Sequence, residues 1–198
     1  MKALIYDIEI LKAIPDKKGG RLEGIEYCEG WSDHQAMGFS VVGVYDVVCD
    51  RYRVFLKDNL SDFAELLRER DTYVSFNGIG FDNKVLAHHM SPALLPEEKC
   101  YDILRELWVG DGLAPEFKYP THAGYGLGDT CYANFGLSKS GDGASAPIDW
   151  QEGRYGTVID YCLNDIKLTK RCFDRIRQGG GLRSPKDSSR FIEMRKPA

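Results

Sequence analysis

Apolar residues run through Leu4-Ile5-Tyr6 and on to Ile8 and Ile10, so residues 2–10 read as a buried strand that only Asp7 and Glu9 interrupt. The pattern then dissolves. Residues 11–37 are polar and glycine-containing, without periodicity, and predict a long excursion with room for a short strand or hairpin. Two β-rich runs, 39–48 and 52–56, flank Cys49-Asp50-Arg51 and predict an antiparallel hairpin. Asn59 or Ser61 can cap a helix reaching about Arg70, with Phe63, Leu66 and Leu67 inward. Residues 72–76 form a short β-branched and aromatic run that ends in Asn77-Gly78-Ile79-Gly80. A helix from Phe81-Asp82 to about His89 follows, then a short strand over 99–101 and a helix over 103–108 opened by Asp102.

The stretch 110–148 is rich in Gly, Pro and Ser, with one short helix expected over 127–133. A last helix over about 152–176 carries the stripe Val158, Cys162, Ile166, Thr169 and Phe173, and Gly179-Gly180-Gly181 stops it. Strands first, then helices mixed with further strands, indicate an α/β fold with a mixed sheet covered by helices. Residues 1–181 read as a single domain. Residues 182–198 read as a basic tail, in which Arg183, Lys186, Arg190, Arg195 and Lys196 outnumber Asp187 and Glu193. A frayed terminus is the expectation for that tail, with tracking along a nucleic-acid strand as the alternative.

Composition narrows the class. A chain of 198 residues with 43% hydrophobic and 28% charged residues suits one globular domain. No apolar run approaches the length of a membrane span, and strand-like sequence with two acids follows Met1-Lys2-Ala3 in place of a signal peptide. A cytoplasmic protein without a membrane partner is expected. Six scattered cysteines without a C-x-x-C pair, and four histidines without H-E-x-x-H, argue for reduced thiols and against zinc. The net charge of −4 argues against a general polyanion-coating protein. It is compatible with carboxylates gathered around cations, which supply the positive charge locally.

Candidate chemistry begins with Asp7 and Glu9, which share one face of a strand by alternation. Two carboxylates that close repel each other and resist burial, and a divalent cation removes both objections. On the last helix Tyr161 and Asp165 are four apart and lie on one face, each just before a residue of the buried stripe. Asp160 competes with Asp165 but lacks a tyrosine one turn earlier. In Ser75-Phe76-Asn77-Gly78-Ile79-Gly80-Phe81-Asp82 a strand ends, glycines turn the chain and Asp82 starts a helix, where alone it would serve only the helix dipole. No nucleotide cofactor is expected. Gly78-Ile79-Gly80 has Asn83 where a dinucleotide fingerprint needs glycine, Gly124 to Gly128 lacks the strand-turn-helix setting, and Ser138-Lys139-Ser140 lacks the glycine spacing of a P-loop.

Taken in order, D-x-E at Asp7 and Glu9, N-x-x-x-F-D at Asn77 to Asp82 and Y-x-x-x-D at Tyr161 to Asp165 resemble the DEDD exonucleases, in the tyrosine-containing (DEDDy) branch. Gly136-Leu137-Ser138-Lys139 also looks like family members, and the histidine of the other branch is replaced here by Asp160. The resemblance implies a ribonuclease H-like fold, a mixed five-stranded sheet of an antiparallel hairpin plus parallel strands flanked by helices. It implies a 3′–5′ exonuclease releasing nucleoside monophosphates from a single-stranded 3′ end, DNA favoured over RNA, with two Mg²⁺ or Mn²⁺ ions. By the same resemblance Asp7 bridges both ions, Glu9 and Asp165 hold the nucleophile-side ion, Asp82 acts through the second, and Tyr161 orients or helps deprotonate the attacking water. Ile8, Asn77 and Phe81 would touch the terminal nucleotide, and Lys139 a phosphate. The alternatives are a catalytically silent nucleic-acid-binding or replication-associated subunit, an RNA-directed exoribonuclease, and an endonuclease on the same fold. A replicative role would need a polymerase or helicase partner.

Overall fold

The computed structural model describes residues 1–16, 20–139 and 141–197. Its centre is a five-stranded mixed sheet in the order β3-β2-β1-β4-β5, built from β1 (Ala3–Ile10), β2 (Phe39–Asp46), β3 (Arg51–Phe55), β4 (Thr72–Ser75) and β5 (Cys100–Asp102). The hairpin predicted from Cys49-Asp50-Arg51 pairs β2 with β3, and β2 also lies antiparallel to β1. On the other side β4 and β5 run parallel to β1. The mixed sheet flanked by helices is the arrangement expected of the ribonuclease H-like class.

Alternation along β1 divides the core in two. Ala3 and Ile5 face a cluster with α4 (Ile103–Gly110), α5 (Leu127–Phe135) and α7 (Tyr155–Gly179). Leu4, Tyr6, Ile8 and Ile10 face α2 (Leu60–Arg68) and α3 (Asp82–Leu86). Asp7 and Glu9 continue the Ala3 and Ile5 series, so strand geometry turns both carboxylates toward α7. β4 pairs only with Ala3 to Ile5, so the later half of β1 projects beyond its neighbour. An opening at the end of a central strand results.

Four elements differ from expectation. The excursion 11–37 has an isolated parallel bridge, Ala13 to Tyr27, and a short helix α1 (His34–Met37) capped by Asp33. α6 (Ala146–Gln151) was hidden by Pro147, which sits in the first turn, where a missing N–H costs nothing. α7 therefore starts at Tyr155 and runs to Gly179, with Gly180 left-handed as its C-cap. α3 stops at Leu86, with Ala87 as its C-cap bonding back to Asn83, and the N–H groups after it bond three residues back, His88 to Val85 and His89 to Leu86.

The fourth difference is the tail. β6 (Gly181–Arg183) and β7 (Phe191–Glu193) form a hairpin whose Leu182 and Ile192, with Met194, are buried in the α7-side core. Two arginines of this segment are engaged with acids of the body, Arg190 with Asp111 at 2.6 Å and Arg195 with Glu106 at 2.9 Å. The segment is held, not frayed, and these two arginines are already paired. All six cysteines are free thiols, five of them buried. No described helix is long and apolar enough to cross a membrane.

Candidate active site

Close approach of α7 to the sheet builds the site. Gly43 on β2 lies opposite Asp7 in register, and a Cβ there would come within 2.6 Å of Ile166 Cδ1 and 2.7 Å of Cys162 Sγ. Without a side chain at this position, α7 seats directly on β1 and β2. Tyr161 and Asp165, one turn apart, then arrive above Asp7 and Glu9. Cys162 fills the floor, its Sγ 3.7 Å from the Asp7 carbonyl and 3.9 Å from Oδ2. Asp7, Glu9 and Cys162 each place a ligand atom within 4.8 Å of the others.

The second wall comes from the turn after β4. Past the end of that strand the Ile8 N–H has no ladder partner, and it donates to Asp82 Oδ1 at 3.1 Å. The Tyr6 hydroxyl donates to Asn83, which ties the start of α3 to the same strand. Asp102 fixes the turn itself, accepting from the N–H groups of Asn77 at 2.8 Å and Ile79 at 3.0 Å while also capping α4. Asn77 is held there with a left-handed φ of 73°.

These walls enclose a cavity of about 980 Å³. Of the residues singled out in the sequence, Asp7, Ile8, Glu9, Phe81, Lys139, Tyr161 and Asp165 line it together. Asp82 is buried just beneath, and Asn77 lies on the far side of Phe81, in a neighbouring hollow. Lys139 is paired with one of the acids. Its Nζ lies 2.5 Å from Asp165 Oδ2 and 5.1 Å from the centre of the Tyr161 ring. Asp165 Oδ1 is buried with no hydrogen-bond partner.

Electrostatics here are strained. Burial, then Asp82, Glu9 and Asp165, push the Asp7 carboxyl well above the usual range, against Lys139. Burial and Asp165 do the same to Glu9, and burial pushes Asp82 up to about 7. Asp165 is raised by burial against the pull of Lys139 and Tyr161. Lys139 itself is raised, because Asp165 and Tyr161 outweigh its burial. Burial also raises Tyr161, which keeps its hydroxyl proton at neutral pH. The arrangement is short of positive charge, and hard oxygen donors of this kind suit a divalent cation.

Three contributors escaped the sequence reading. In the sequence Cys162 is one more residue of the buried stripe, although the position after Tyr161 faces inward. Asp102 has the sequence signature of a helix opener alone. Trp31, from the excursion, lines the cavity mouth and packs on Phe81 with ring centres 6.1 Å apart; nothing in its local sequence marks it.

No protein-family model matches this chain, and no curated protein does. Among solved structures it is similar to the family B DNA polymerase from the hyperthermophilic archaeon Pyrobaculum calidifontis, with a TM-score of 0.58 and 15% identity. The match covers 88% of this chain and 24% of the polymerase, so the chain spans about a quarter of that protein's length. At this identity the likeness carries the fold.

Proposed function

We propose that this chain is a metal-dependent 3′–5′ exonuclease that hydrolyses phosphodiester bonds at a single-stranded 3′ end, DNA favoured, and releases nucleoside monophosphates. The observation that carries the reading is the charge imbalance: Asp7, Glu9, Asp82 and Asp165 meet around one cavity whose described lining offers only Lys139 as a cation. The fold shared with a DNA polymerase supports a nucleic-acid substrate and favours DNA.

The donor set fits two Mg²⁺ or Mn²⁺ ions, since the carboxylates are hard oxygen ligands and Asp165 Oδ1 is buried without a partner. Asp7, Glu9 and Asp165 would hold one ion, and Asp7 with Asp82 the second. Such ions supply Lewis acidity to both the attacking and the leaving oxygen of an in-line displacement. The chain's own groups do the rest. Tyr161, kept protonated by burial, orients the attacking water by hydrogen bonding and is a poor base. Lys139, released from Asp165, meets the scissile phosphate. Ile8 and Phe81 bracket the terminal nucleotide.

A 5′-labelled oligonucleotide incubated with Mg²⁺ or Mn²⁺ is expected to shorten stepwise from its 3′ end, and a circular single strand to stay intact. No shortening, or shortening that survives Asp7→Ala, overturns the reading, and a cut circle replaces it with an endonuclease. The Lys139–Asp165 contact supports a second reading, a binding module in which the ammonium is the acids' permanent counter-ion. Strand binding with no cleavage under any divalent cation selects that one.

A further inference from the structure

A second hollow, of about 870 Å³, adjoins the carboxylate cavity, and Trp31 and Phe81 line both. The two rings stand between the hollows as a ridge, with His34 edge-on to Phe81 at 6.1 Å. Trp31 is 73% exposed although it is the largest apolar side chain available. On the far side of the second hollow Phe117, 62% exposed, leans on Trp108 and His122. Isolated exposed aromatics need no explanation, but these bracket one groove that runs directly into the carboxylates. Flat rings spaced along a groove are the way proteins hold unpaired bases without reading their sequence.

The groove's charges decide what kind of grip this is. Lys84, one turn after Phe81, is exposed and forms no ion pair among the described residues. Arg105 is already held by Glu97, and Glu116 adds a negative charge. The Asp102 carboxylate is consumed by backbone N–H groups. With the lining near neutral, phosphate attraction is small and stacking must carry the contact.

Resting on the exonuclease reading, we propose that the Trp31–Phe81 ridge is a stacking clamp. The 3′-terminal nucleotide lies on the carboxylate side, and the nucleotides upstream of it cross the ridge into the second hollow, against Phe117. Trp31 is thereby a positioning residue: it sets how many nucleotides are gripped and requires them to be unpaired. Phe117 extends the same grip.

The test uses the full chain carrying Asp7→Asn, so that the strand is bound and not cut, with a fluorescent six-nucleotide oligothymidylate. Trp31→Ala and Phe117→Ala are each expected to weaken binding about tenfold, the loss of one base-stacking partner. The affinity should fall with salt as if about one phosphate were neutralised. An abasic site next to the 3′ nucleotide should weaken binding to the Asp7→Asn chain by a similar factor and add little to Trp31→Ala. In the chain with Asp7 intact, Trp31→Ala should raise KM more than it lowers kcat. Both aromatic sites are exposed, so an unchanged circular dichroism spectrum and melting temperature will certify folding. Unchanged affinity in both variants, or abasic and Trp31→Ala effects that simply add, overturns the clamp. Cleavage by the intact chain with KM indifferent to Trp31 leaves the nuclease standing and sinks the clamp. Coupled binding without any cleavage does the reverse.

Discussion

Two sets of buried acids occupy the same pair of strands and have opposite electrostatics. Asp46 ends β2, directly across from Leu4. Its carboxylate accepts from Arg70 Nη2 at 2.7 Å and Nε at 3.1 Å, and from the Val48 N–H at 3.1 Å. Burial pushes its carboxyl up, yet the Arg70 fork and its other hydrogen bonds hold it below the usual range. Three residues along β1 from that crossing stands Asp7, raised by burial and by three neighbouring acids. Both ends of the ladder bury carboxylates. Among the described residues Asp46 is matched by arginine, whereas at the other end Lys139 alone faces Asp7, Glu9, Asp82 and Asp165. A satisfied ion pair needs nothing more and reads as structure, whereas strained acids lining a cavity mark a place built to receive charge.

The largest test of that contrast is Asp7→Asn. Shortening of a labelled oligonucleotide should fall at least about 10³-fold, some 4 kcal/mol of barrier. In chelator the same variant should melt at a higher temperature than the parent, because a repelled buried charge has been removed. A lower melting temperature would place Asp7 among the structural acids and erase the distinction. Arg70→Met should do the opposite: a loss of up to about 3 kcal/mol in denaturant unfolding, because Asp46 keeps only the half-exposed Arg53 at 3.6 Å and the Val48 N–H, with turnover per folded molecule unchanged.

These expectations draw on residues whose legibility differed for physical reasons. Asp7 with Glu9, and Tyr161 with Asp165, were readable because strand alternation and the helical turn are local periodicities. Asp82 was readable because a glycine turn after an apolar run leaves few places for the next helix to begin. Lys139 was visible, but its pairing with Asp165 was not, since a loop carries it there and no periodicity governs loops. Trp31 depends on the path of the whole excursion. The β6–β7 hairpin depends on a groove between α4 and α7 that exists only after folding, so its basic residues looked free when two of them are paired. Most of the sheet was legible for the same local reasons, and α6 was not, because Pro147 resembles a break until its place in the first turn is known.

Gly43→Ala tests whether helix-to-strand distance, and not acid count alone, defines the open end. The added methyl meets the Ile166 Cδ1 and Cys162 Sγ tips below 3 Å, so these side chains must turn away or α7 must lift off the sheet, and the prediction is that α7 lifts. A stability loss of about 1–3 kcal/mol is expected from the overpacking. Activity of the folded fraction should fall by more than tenfold, since the displaced Tyr161 and Asp165 no longer meet Asp7. Retained activity at reduced stability would show that the acids tolerate a looser cage than the geometry suggests.

The most gradual effect, small over any one pH unit, distinguishes the two acid sets by sign. For Asp82 the folded pKa, about 7, lies above the unfolded value, so between those values the folded chain holds a proton that the unfolded chain has released. Stability without divalent ions therefore falls as pH rises from about 4 to about 7, by about 1 kcal/mol per pH unit for this one carboxyl, and levels off above. Asp46 behaves oppositely: its folded pKa is depressed, so its contribution is complete above the unfolded value and is lost only as pH drops through the folded one. Melting curves in chelator should thus carry a component that declines up to about neutral pH, and Asp82→Asn should flatten that decline. Saturating Mg²⁺ or Mn²⁺ should remove it, because bound cations favour the ionised acids. A decline that persists unchanged in Asp82→Asn, or with the cations present, would mean that the open end is not where the chain's neutral-range protons are held.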